Sequence, residues 1–93
     1  MNPVTLTHAE IREILLPSGL ESDSIDTTVR SDPGHTCLGI HGDISDYTEF
    51  LYCALSWCKK NDDTEREMAL LVPHMRRTIE GYTFFWPMIV VED

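Results

Sequence analysis

Residues 82–91 run Tyr82-Thr83-Phe84-Phe85-Trp86-Pro87-Met88-Ile89-Val90-Val91, and Thr83 is the only polar interruption. In an extended strand, successive side chains alternate between the two faces of a sheet. One face would carry Tyr82, Phe84, Trp86, Met88 and Val90, and the other Phe85, Pro87, Ile89 and Val91. Both faces therefore favour removal from water. A chain of 93 residues forms one domain with a single modest core. The two-sided tail thus leads us to expect a hidden surface larger than that core, supplied by a homodimer or another protein partner, although a helix over residues 45–60 could cover one face of the strand from within the same chain. Pro87 cannot donate to a ladder, which places it at an edge or a bulge. Residues 82–86 are the expected paired part, and 88–91 an extension that leaves the sheet or lies along a neighbour.

The rest of the chain alternates helix and strand signals. Thr7 and Glu10 form a capping box, and Ile11, Ile14 and Leu15 follow on one side of a short helix ending near Leu16, before Pro17. Residues 24–30 and 35–41 each alternate in polarity around Ser31-Asp32-Pro33-Gly34, the composition of a β-hairpin. Gly42-Asp43 ends the second strand. Residues 45–60 give the strongest helix, with Tyr47, Phe50, Leu51, Ala54, Leu55 and Cys58 on one stripe. Adding Cys53 and Trp57 widens that stripe to roughly 200° at about 100° per residue, more than one sheet requires, so a second helix or another chain is expected against it. A further helix, capped by Thr64 and Glu67, is read through Met68, Leu71, Val72, Met75 and Ile79, kinked or split at Pro73 and stopped at Gly81. The expected fold is α+β, a small two-layer single domain over residues 1–93. Its order is α-β-β-α-α-β, with a three-stranded, mainly antiparallel sheet packed by helices.

Sixteen acidic against seven basic residues give a formal charge of −9. That balance disfavours direct binding to nucleic acid or an anionic membrane, both of which need clustered Lys and Arg. Most of the excess lies in residues 1–50, with nine acids and two bases. Asp46, Glu49, Glu65 and Glu67 open helices, and Lys59, Lys60, Arg76 and Arg77 close them, as helix dipoles favour. Glu21, Asp23, Asp26, Asp32 and Asp43 remain around the hairpin. They read as a solvated edge that blocks aggregation, or as an acidic docking face. Tyr47, Phe50, Trp57, Phe84, Phe85 and Trp86 read most simply as core, whereas Tyr52 lies on the polar side of its helix, roughly opposite the centre of the apolar stripe, the position of an interface anchor; Trp57 is kept with it as a candidate contact. Trp86 joins them from the tail.

His35, Cys37 and His41 share a strand face by parity. Same-face neighbours stand roughly 6.5–7 Å apart, so His35 and Cys37 could share an ion while His41 would need the strand to bend. No metal-ligand spacing supports the trio. Cys37 with His35 as base lacks any mark of an activated nucleophile, and a free cysteine usually packs as a small hydrophobe. We therefore expect no metal, no cofactor and no catalytic residue. The odd number of cysteines and the absence of a leader-like start lead to the expectation of a reduced, cytoplasmic setting without a membrane span.

These readings converge on a small acidic non-enzymatic interaction protein that binds and regulates or inhibits another protein, as an oligomer. The alternative is a phage or mobile-element inhibitor in the style of anti-CRISPR or anti-restriction proteins, with an acidic face imitating nucleic acid. That alternative rests on size and charge alone. A metal- or thiol-dependent enzyme built on His35, Cys37 and His41 is the weakest reading.

Overall fold

A computed structural model describes residues 2–30 and 34–92. The elements are β1 (Val4–Thr7), α1 (His8–Leu15), β2 (Ile25–Arg30), β3 (Thr36–Gly42), α2 (Ile44–Lys60), α3 (Thr64–Leu70), β4 (His74–Thr78), β5 (Gly81–Trp86) and β6 (Ile89–Glu92), with a 3-10 turn at Ser22–Ser24. The fold is α+β, as expected, but with six strands in two sheets rather than one three-stranded sheet. The larger sheet has the order β2-β3-β5-β4 and is antiparallel throughout, while β1 and β6 form a separate parallel pair.

The apolar tail is divided between the two sheets. β5 is an inner strand, flanked by β3 and β4. Pro87 and Met88 then turn the chain out of that sheet, and β6 runs beside β1 with Val4 opposite Ile89 and Leu6 opposite Val91. Pro87 sits at neither an edge nor a bulge: with no N–H to lose, it occupies the turn. Both faces of β5 are covered from within the chain. On the helix side, Tyr47 of α2 stacks on Phe84 at 4.4 Å and Phe50 lies 5.3 Å from Trp86. On the other side, Val29, Cys37 and Phe85 form a small cluster of their own. It is roofed by the sheet's own side chains, with the Arg76 guanidinium 5.0 Å from the Phe85 ring centre and His74 5.6 Å away. Long cationic side chains can cover apolar surface in this way while keeping their charge wet.

The wide stripe of α2 is also satisfied internally. α2 packs on β3, α1 and α3, so a second and a third helix take up the arc that one sheet leaves over. Its N-cap is Asp43, whose carboxylate accepts from the Ser45 and Asp46 N–H groups. The Thr7–Glu10 capping box opens α1 as expected.

The segment after α2 departs most from the sequence reading. α3 is capped by Asp63 rather than Thr64 and ends at Leu70. Pro73 disfavours helical backbone at the residue before it and cannot extend the helix, and residues 74–78 pair instead with the free side of β5. Gly81 (φ 143°) closes the two-residue turn of that hairpin instead of stopping a helix. Met68, Leu71, Val72, Met75 and Ile79, which mimic a helical stripe, are all exposed. Their spacing reflects no core contact. The strand at Val4–Thr7 was missed because four residues with one strongly buried member, Leu6, carry little period-2 signal.

Candidate functional site

α1 is only eight residues long and ends where Pro17 follows Leu16. The Ser18 hydroxyl and backbone N–H both donate to the Leu15 carbonyl, at 2.8 and 2.9 Å. The Gly19 N–H donates to Glu49 Oε1 on α2 at 2.8 Å, pinning the exit of α1 to the neighbouring helix. A second tie crosses from Trp57 Nε1, which donates to Glu13 Oε2 at 3.0 Å. Between these ties α1 and α2 diverge and leave an open trough of about 930 Å³. That volume is at the upper end of the range for sites that hold a ligand, roughly 300–1,000 Å³.

Ile14 and Cys53 form the buried floor of the trough. Leu16 and Tyr52 stand on its walls, 82% and 73% exposed, and Trp57 closes one end. Charge lies at the two ties, with Glu49 beside Gly19 and Glu13 beside Trp57, and Lys60 near the C-terminal end of α2. Each glutamate uses one oxygen on a tie across the helices, and neither forms an ion pair among the described residues. Burial, reinforced by the Glu49 carboxylate, raises the Cys53 thiol pKa, so this sulfur packs as an apolar floor atom.

Of the residues singled out in the sequence, Tyr52 and Trp57 therefore meet in one groove. Trp86 does not join them. It is fully buried, and its indole N–H donates to the Leu70 carbonyl at 2.9 Å, satisfying the C-terminal end of α3. Leu16, Glu13 and Glu49 were missed as site residues. Leu16 could have been noticed as an apolar residue falling off the Ile11–Ile14 stripe just before a proline; the glutamates carry no signal without the helix pairing.

The acidic residues of the hairpin separate into different roles. Asp43 is a helix cap, and the Ser45 hydroxyl and neighbouring N–H groups that bond it lower its pKa. Asp26 accepts from the Thr28 N–H and hydroxyl at 2.7 and 2.6 Å and lies 2.7 Å from His41 Nε2. Desolvation raises the pKa of its carboxyl, but the Thr28 bonds and His41 outweigh that, leaving the pKa lowered. Glu21 and Asp23 are exposed, and Asp23 lines a hollow of about 440 Å³ with Asp46, Glu80 and His41. Asp32, the fifth of the set, lies outside the described residues.

His35, Cys37 and His41 are not brought together. His35 Nε2 donates to the Pro87 carbonyl at 2.8 Å. Cys37 is fully buried, and desolvation raises its pKa. His41 bridges Asp26 and the Thr83 hydroxyl, the latter at 2.9 Å from Nδ1. A carboxylate only accepts, so Nε2 carries a proton. Asp26, His41 and Thr83 thus line up as a carboxylate, an imidazole and a hydroxyl, but Thr83 is 4% exposed and offers a substrate no approach. The line ties three strands together. Among the described residues, no three His, Cys, Asp or Glu side chains are placed to hold a metal ion, and no helix is long and apolar enough to cross a membrane.

Compared with known proteins, the chain matches no family model, no curated protein and no solved structure.

Proposed function

We propose that this chain is a non-enzymatic interaction protein that regulates another protein by seating an amphipathic helix of that partner in the trough between α1 and α2. The observation that carries this reading is the pair of walls, Leu16 and Tyr52, left largely exposed above a buried apolar floor of Ile14 and Cys53. Large apolar side chains around a concave surface are what a helix-in-groove interface uses. The rim supplies polarity: basic residues of the incoming helix face Glu49 at one tie or Glu13 at the other, and an acidic one faces Lys60.

Affinity capture from the source cells tests this with the native chain and two variants. Tyr52→Ala combined with Leu16→Ser should lose the captured partner, while Ile79→Ser, far along the chain, should retain it. Equal capture by all three would overturn the groove reading. Light scattering after gel filtration shows whether the seated helix comes from a second copy, which would make the protein the homodimer expected from its sequence.

A second reading keeps the acidic hollow around Asp23, Asp46 and Glu80 as the docking face for a basic protein, the mode of an inhibitor that imitates nucleic acid. Asp43 and Asp26 contribute less to such a face, because their oxygens are used within the chain. Under this reading, Asp23→Lys and Glu80→Lys weaken capture in a salt-dependent way and the groove variants leave it intact.

A further inference from the structure

β4 is the outermost strand of the four-stranded sheet, paired only with β5, and all five of its residues are exposed. Its outer side presents the unpaired N–H and C=O groups of an edge, a template on which another strand can form. The composition of this edge is unlike that of the rest of the molecule. In a chain of net charge −9, the strand His74-Met75-Arg76-Arg77-Thr78 holds two of the seven basic residues and no acid. Arg76 is held in place, donating to the Arg30 carbonyl at 3.1 Å above the Phe85 ring. Arg77 forms no ion pair among the described residues. By register with Phe84 and Tyr82, Met75 and Arg77 share the helix-side face, and Met75 is 60% exposed.

We propose that the outer edge of β4 is a strand-addition site for an extended acidic segment of a partner protein. Such a segment would complete the ladder, set an apolar residue beside Met75 and place a carboxylate two residues away beside Arg77, on the same face. Opposite charges across neighbouring strands stabilise pairing and like charges oppose it. A second copy of this chain is disfavoured on that ground, since a two-fold pairing of β4 would bring two Arg77 side chains to one junction. Arg77 also guards the edge against indiscriminate pairing, and its sign selects an acidic strand. This site is separate from the α1–α2 trough, and the failure of either leaves the other standing.

The test uses the full chain, labelled for amide NMR, and a capped peptide of about six residues, a usual strand length, in which a valine and a glutamate stand two residues apart on one face, to lie beside Met75 and Arg77. A lysine–valine peptide of equal length is the control. The acidic peptide should shift and protect alternate β4 amides saturably. The lysine peptide should bind at least about tenfold more weakly, a difference of about 1.4 kcal/mol. Arg77→Glu, an exposed substitution that leaves the β5 pairing intact, should remove or invert the preference. The proposal is overturned by any of three results: no β4 response up to about 1 mM acidic peptide, an affinity that would itself be worth only about 4 kcal/mol; equal response to both peptides; or a free protein already dimeric through β4.

Discussion

Trp86 shows how one side chain can be read from sequence both as core, which its full burial bears out, and as a partner contact. Its place in an apolar run made it a candidate for a surface contact, yet it is fully buried and its single donor satisfies the Leu70 carbonyl at the end of α3. Replacing it with phenylalanine keeps most of the apolar volume and removes the donor. Trp86→Phe should therefore cost about 1–3 kcal/mol, the penalty for a buried carbonyl left unsatisfied, read as a lower midpoint in urea unfolding. No loss would mean that the carbonyl finds another donor. Local bonding, by contrast, was legible. The Thr7–Glu10 box and the stop at Gly42-Asp43 involve residues at most a few positions apart, so spacing alone reveals them. The roles of Asp26 and His41 depend on a cross-strand contact and were not.

Among the elements, α1, the β2–β3 hairpin and α2 were readable because each has a period, a cap or a turn of its own. The region after α2 was not, since its exposed apolar residues fell by accident at helical spacing and the deciding partner, the free side of β5, is far from being a local signal. The same limit hides Arg66. It donates from Nε to the Thr5 carbonyl at 2.8 Å and from Nη1 to Asp63 at 2.8 Å, and it pairs with Glu10 at 3.1 Å, joining β1, the start of α1 and the cap of α3. All these groups are partly buried. Arg66→Ala should cost about 2 kcal/mol, in the range of hydrogen bonds to charged groups. Arg66→Lys should recover little of it, because a lysine cannot reproduce the fork. Full recovery by lysine would show that charge alone is at work there.

At the scale of the molecule, the two-sided tail that first suggested a second chain is enclosed by α2, by the Val29–Cys37–Phe85 cluster and by β1. The surplus apolar surface lies elsewhere, at the α1–α2 trough and in the segment from α3 through β4 to its turn, where Met68, Leu71, Val72, Met75 and Ile79 are exposed. That relocation could not be read from the sequence, because it depends on which elements become neighbours. Asp26 in the β2–β3–β5 tie contributes to stability against acid. The pKa of Asp26 is lowered in the folded state, so its contribution is present above the unfolded value, 3.8, and disappears as pH falls through the lower folded value. Asp26→Asn should accordingly destabilise at pH 5 and matter less at pH 2, flattening the acid limb of stability against pH. An equal loss at both pH values would assign the role of Asp26 to packing alone.

The trough is the centre of this account, and site-specific photocrosslinking in the source cells tests it most directly. A photoreactive phenylalanine analogue replaces Tyr52 in one variant and Ile79 in another, and the crosslinked products are mapped by mass spectrometry. One dominant adduct is expected from position 52, landing on an amphipathic helical segment with a basic residue near its apolar face. No adduct from position 52, with the protein folded and expressed, would contradict it.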